Sequence, residues 1–192
     1  LSSPQDTIGG SVEWPPVESL IDSTAPALSP SSVSSRGESK ALTQALYNAA
    51  IDLLSRREHS CQELRRKLSA KHPEANFDEV LSRLQALNYQ SDQRFAEVFC
   101  RSRVQRGQGP LRIRRELQQR GVHGDLIASA LEQVETDWFA LAAEVLQRKF
   151  RGAINPALPR DQQFKERAKR QRYLAYRGFS SDAIAWAIDA DC

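Results

Sequence analysis

Residues 117–131, LQQRGVHGDLIASAL, return 57 positions later as residues 174–188, LAYRGFSSDAIAWAI. The shared positions are Leu117 and Leu174, Arg120 and Arg177, Gly121 and Gly178, Val122 and Phe179, Asp125 and Asp182, Ile127 and Ile184. Each match has a physical reason. A helix that ends in a left-handed residue wants glycine there. The apolar residue after it folds back onto the next helix as a hydrophobic staple, and an aspartate in that helix's first turn meets the positive end of its dipole. The repeat therefore reads as helix, tight turn, helix. A weaker copy lies earlier, with Leu68, two extra residues, then Asp78, Val80 and Leu84.

Outward from this repeat the body reads as helix. Leu42, Leu46, Ala50 and Leu53/Leu54, and then Phe77, Val80, Leu81, Leu84 and Leu87, recur at helical spacing, and no stretch alternates like a half-buried strand. Ser60-x-x-Glu63 is a capping box ahead of Leu64 and Leu68. Ser91 can cap the helix carrying Phe95, Val98 and Phe99, and Pro110 suits a first helical turn. The expected fold is all-α: an elongated, curved array of three tandem three-helix repeats at 41–90, 91–136 and 137–192, preceded by a tail at 1–40. The tail holds 11 Ser and 5 Pro, too little apolar surface to offset its ordering entropy, and is expected to be disordered. Small units of this kind bury little alone and stack on their neighbours.

The 192 residues carry 27 Lys+Arg and 24 Asp+Glu, a net charge of +3. The excess is local. Arg94 to Arg120 holds eight Arg against Glu97 and Glu116, and Arg148 to Arg177 holds ten Lys+Arg against Asp161 and Glu166. Charge separated this way marks surfaces. Arg112, Arg115, Lys169, Arg170, Arg172 and Tyr173, extended by Arg148, Lys149 and Arg151, are the candidate binding residues, a cationic stripe facing a polyanion or an acidic groove. Tyr176 is open between base stacking and half-buried packing, while Trp138, Phe139, Phe179 and Trp186 read as core.

Other chemistry finds little support. Three separated cysteines argue against a disulfide framework. His59 is expected to face solvent beside a buried Cys61, without a second ligand pair for a metal. Gly107-Gln-Gly109-Pro110 lacks the Lys-Ser/Thr of a phosphate loop, and no nucleophile has a base beside it. The expectation is a protein without catalytic centre, metal or cofactor, acting in the cytoplasm as a monomer without a membrane segment.

Gly107-x-Gly109-Pro110-x-x-Ile113-x-x-Glu116-Leu117-x-x-x-Gly121-Val122, followed by Arg172-x-x-x-x-Arg177-Gly178-Phe179-x-x-Asp182-x-Ile184, resembles the RecX family of bacterial regulatory proteins over about residues 45–190. The resemblance implies tandem three-helix repeats lying along the groove of the RecA filament on single-stranded DNA. There such proteins inhibit strand exchange, ATP turnover and repressor self-cleavage, in DNA repair and SOS control. It also leaves room for weak sequence-independent DNA binding. The alternatives are a helix-turn-helix transcriptional regulator, which needs a dimer and a half-site, and a scaffold for protein partners alone.

Overall fold

In the computed structural model, residues 30–190 are described, with side chains from Gly37 onward. The expected disorder of the tail lies, for residues 1–29, outside the described residues. Helix α1 (Pro30–Arg56) begins inside the stretch read as tail. Then follow α2 (Cys61–Leu68), α3 (Phe77–Ala86), α4 (Asp92–Gln105), α5 (Pro110–Gln118), α6 (Gly124–Gln133), α7 (Trp138–Phe150), α8 (Arg160–Arg177) and α9 (Ser181–Asp189), with no strand among the described residues.

Side-chain caps start many of these helices. Ser60 accepts from the Glu63 N–H, Ser91 from Arg94, Asn76 from Glu79, Asp137 from Phe139 and Ala140, and Ser180 from Ala183. Pro110 takes the first position of α5. Gly121 and Gly178 are left-handed, with φ of 74° and 88°, while Val122 and Phe179 are buried as the staple predicts.

Helices of eight to ten residues, such as α2, α3 and α5, are too short to persist alone. Each is held by a triplet core. Leu46, Ala50, Leu68, Val80 and Leu84 fill the first. Phe95, Cys100, Ile113, Leu117, Val122 and Ile127 lead the second. Val145, Leu146, Leu174, Phe179, Ile184 and Ile188 lead the third. Helix packing is concentrated inside the triplets α1–α3, α4–α6 and α7–α9. The three cores stay separate, so the chain is an array of modules, not one globule.

Three expectations about individual residues are corrected. His59 is 2% exposed and Cys61 is only half-buried, the reverse of the predicted arrangement. Phe139 and Trp186, read as core, are about half exposed and pack edge-to-face with ring centroids 6.1 Å apart. Arg170, placed on the cationic stripe, is 4% exposed. Its Nη2 donates to the Gly152 carbonyl at 2.8 Å and its guanidinium lies over Phe150. Arg170 stands 57 residues after Ile113 and so takes an inward-facing position of the repeat. It folds the 151–159 connection onto α8.

Candidate functional site

The middle helices of the modules meet end to end. The last four carbonyls of a helix and its first four N–H groups have no partner inside it, and here one helix supplies the other. At the second junction, the Gly109 N–H donates to the Arg177 carbonyl at 2.9 Å and the Leu111 N–H to the Gly178 carbonyl at 3.0 Å. The Arg177 guanidinium returns to the Arg106 carbonyl at 2.7 Å. At the first junction, the Ser60 hydroxyl donates to the Arg120 carbonyl at 2.7 Å. Ser60 and Gly109 are the N-caps of α2 and α5, and Arg120 and Arg177 are repeat partners. Both junctions therefore use the same two places.

The first junction also carries a buried ionic cluster. Glu63 pairs with Arg120 across the modules at 3.1 Å, with Arg57 at 3.2 Å and with His59 Nδ1 at 3.0 Å. Its carboxylate does not close the capping box but reaches the next module. Burial pulls the Glu63 pKa up, but the hydrogen bond from His59 and the charge of Arg57 outweigh it, leaving the carboxyl below its ordinary range. Burial also holds His59 below its ordinary value, against the pull of Glu63, and Arg57 and Lys67 act in the same direction as burial. The Gln90 side chain closes the other side by donating to the His59 carbonyl.

A histidine held low folds in its neutral form, so the unfolded chain takes up the extra proton as pH falls through 6.5, its ordinary value. A depressed carboxylate contributes stability above 4.5 that is lost as pH falls further. Both act in one direction. The melting temperature should fall on acidification from pH 7 to 5, and His59→Gln should flatten that fall in thermal melts. An unchanged slope would detach His59 from it.

Between the modules, the ends of the middle helices border two adjoining grooves. One, of about 480 Å³, is lined by Leu111, Arg112, Arg115, Glu116, Gln119, Ala175, Tyr176 and Gly178. The other, of about 340 Å³, is lined by Gln62, Glu63, Arg65, Arg66, Gln119 and Arg120. Gln119 touches both, so they adjoin along one side of the array.

The predicted stripe divides. Arg112 and Arg115 lie in the larger groove, and Arg172 stands one helical turn before Tyr176 on the same helix. Arg148, Lys149 and Tyr173 line a separate recess with Arg106 and Arg177. Arg148 pairs with Glu144 at 2.8 Å, and Tyr173 lies under Arg177 and against Phe150. Arg151 is the left-handed C-cap of α7. Lys169 pairs with Glu166 and approaches Phe150. Arg112 is tied to Glu116 at 2.9 Å. Arg115 and Arg172 are exposed and pair with no carboxylate among the described residues.

A third member went unnoticed in the sequence. Leu64-x-Arg66-x-Leu68 matches Ile113-x-Arg115-x-Leu117 and Arg170-x-Arg172-x-Leu174. Arg66 is also exposed and pairs with no carboxylate among the described residues. One unpaired arginine thus stands at the same position of every middle helix. Cys61 and Cys100 are pushed up to about 11 by burial, so both thiols stay protonated near neutral pH. No group of His, Cys, Asp and Glu able to hold a metal ion occurs among the described residues, and no described helix is long and apolar enough to cross a membrane.

Models of the first, second and third three-helix domains of RecX match residues 47–84, 91–131 and 135–188. The chain belongs to the RecX family. Regulatory protein RecX of Halorhodospira halophila is 44% identical over 158 residues, covering 80% of this chain and 94% of that protein. Its counterpart in Legionella pneumophila is 40% identical over 140 residues, covering 72% and 89%. A crystal structure of regulatory protein RecX superposes with a TM-score of 0.68 at 22% identity, covering 84% of this chain and 80% of that one. RecX from Lactobacillus salivarius superposes at 0.63 and 24% identity, covering 79% and 97%. These two establish the shared fold of the RecX family, and the sequence relatives establish a regulatory protein of RecX type.

Proposed function

We propose that this protein binds along the RecA filament on single-stranded DNA and inhibits its recombinase, ATPase and coprotease-type activities, acting in the cytoplasm as a monomer in DNA repair and SOS control. The observation that carries the reading is the row of Arg66, Arg115 and Arg172, an exposed arginine at the same repeat position of each module with no carboxylate partner among the described residues. A repeating charge on a linear array suits a partner that itself repeats, and a nucleoprotein filament does. Family membership supplies the regulatory role and the row supplies the means of contact.

The test is RecA ATP hydrolysis on single-stranded DNA with and without this protein. Wild type should suppress turnover. The triple variant R66E/R115E/R172E should need about tenfold more protein for the same suppression, a loss near 1.4 kcal/mol, with an unchanged helical circular dichroism spectrum. Undiminished inhibition by that variant would remove the row from the interface. Tight binding to one duplex sequence without RecA would replace the reading with the helix-turn-helix regulator.

A further inference from the structure

The two grooves are copies of one design with different linings: Gln62, Glu63 and Gln119 of the first stand where the repeat has Leu111, Arg112 and Tyr176 in the second. Each is walled by one side of a middle helix and the C-terminal end of the next. Where the first groove has Gln119, the repeat places Tyr176 in the second. Tyr176 is 74% exposed, a large ring left in water. It is nevertheless held in place. The Arg112 guanidinium lies 5.1 Å from its ring centroid, donates to the Tyr176 carbonyl at 3.4 Å, and is itself anchored on Glu116. One face of the ring is backed by a fixed cation, and the rest of the side chain is open to solvent.

We propose that this groove takes one nucleotide of single-stranded DNA, with its base stacked on the open face of Tyr176 and its flanking phosphates on Arg115 and Arg172. Aromatic platforms beside a cationic track are how proteins hold unpaired strands without reading sequence. Duplex DNA has no free base face to offer, and an acidic peptide would need the arginines but not the ring. Pre-fixing the ring through Arg112 lowers the ordering cost of binding. The inference deepens the filament reading by naming which component of the filament this groove meets.

The experiment is fluorescence anisotropy of labelled oligothymidylate with the full chain alone, at low salt and without RecA. Tyr176→Ala should weaken binding about tenfold and Tyr176→Phe should leave it intact. An abasic oligonucleotide of equal length should bind wild type and Tyr176→Ala equally. The salt slope should be unaltered by Tyr176→Ala, and smaller by about 0.7 in each of Arg115→Gln and Arg172→Gln. Undetectable binding of oligothymidylate, full binding by Tyr176→Ala, or equal competition by duplex of the same length would each overturn the proposal. Failure of the filament reading looks different: a chain that binds oligothymidylate in this Tyr176-dependent way but leaves RecA hydrolysis untouched.

Discussion

Gly178→Ala should lower the melting temperature by about 10 °C, the effect of roughly 2–5 kcal/mol in a chain of this size. Two costs combine. Gly178 ends α8 with φ of 88°, where a side chain costs about 1–2 kcal/mol. A Cβ there would also stand 2.3 Å from the Arg112 Cβ and 2.5 Å from the Arg112 backbone nitrogen, overpacking worth about 1–3 kcal/mol. Backbone cannot swing aside as a side-chain tip can, so the relief available is separation of the second and third modules. Gly109→Ala isolates the second cost. Gly109 has an ordinary φ of −82°, yet its Cβ would meet the Gly178 carbonyl oxygen at 2.3 Å. Small-angle scattering of Gly109→Ala should therefore report a larger radius of gyration with little lost helix. Gly121→Ala shares the φ penalty of about 1–2 kcal/mol, and its Cβ would stand 2.7 Å from the Gln62 Cβ, a looser approach than that of Gly178 to Arg112, so it should cost less than Gly178→Ala. Equal melting temperatures for Gly178→Ala and Gly121→Ala, measured by differential scanning calorimetry, would refute the close approach at the second junction.

The same two positions show what a sequence exposes and what it hides. A left-handed helix end, a serine cap and a staple are decided within a few residues, so Gly121, Gly178, Ser60, Ser91 and Phe179 were all legible. Why Gly109 must be glycine was not legible, because the atom it makes room for lies in the next module. Glu63 was misread for a related reason. Its spacing from Ser60 fits a capping box, while its partner Arg120 stands in the next module. His59 followed it into the interior. Arg170 is a different kind of miss. The repeat aligns it with Ile113, an inward position, and reading the register before the charge would have withdrawn it from the stripe and supplied Arg66 instead. Phe139 and Trp186 were assigned to the core on hydrophobicity alone, but the position 57 residues before Trp186 is Ser129, a partly exposed place on α6.

Glu63→Ala should cost about 3 kcal/mol, the low end for a broken buried ion pair because Arg57 is half exposed. The carboxylate is buried among groups that need it. Arg120 and Arg57 would lose their partner, and the buried His59 would lose the acceptor that orients its Nδ1–H. The helix ends add to the effect. Glu63 lies in the first turn of α2, near the positive end of that dipole, and Arg120 just past the end of α5, near the negative end of its own. Where the two ends abut, each charge favours its own helix and the pair favours the junction. A double-mutant cycle of Glu63→Ala with Arg120→Ala separates these contributions. Coupling of about 1–2 kcal/mol would assign the ion pair to the contact between the first two modules. Strict additivity in urea melts would mean that Glu63 stabilises only its own module through His59 and Arg57, leaving the Ser60 hydroxyl on the Arg120 carbonyl to hold the first junction. The pH response discriminates further. Glu63→Gln keeps the shape but not the charge, so it should remove the Glu63 share of the loss of stability below pH 4.5, leaving the share of Glu116, also held below its ordinary range, and the part that follows His59.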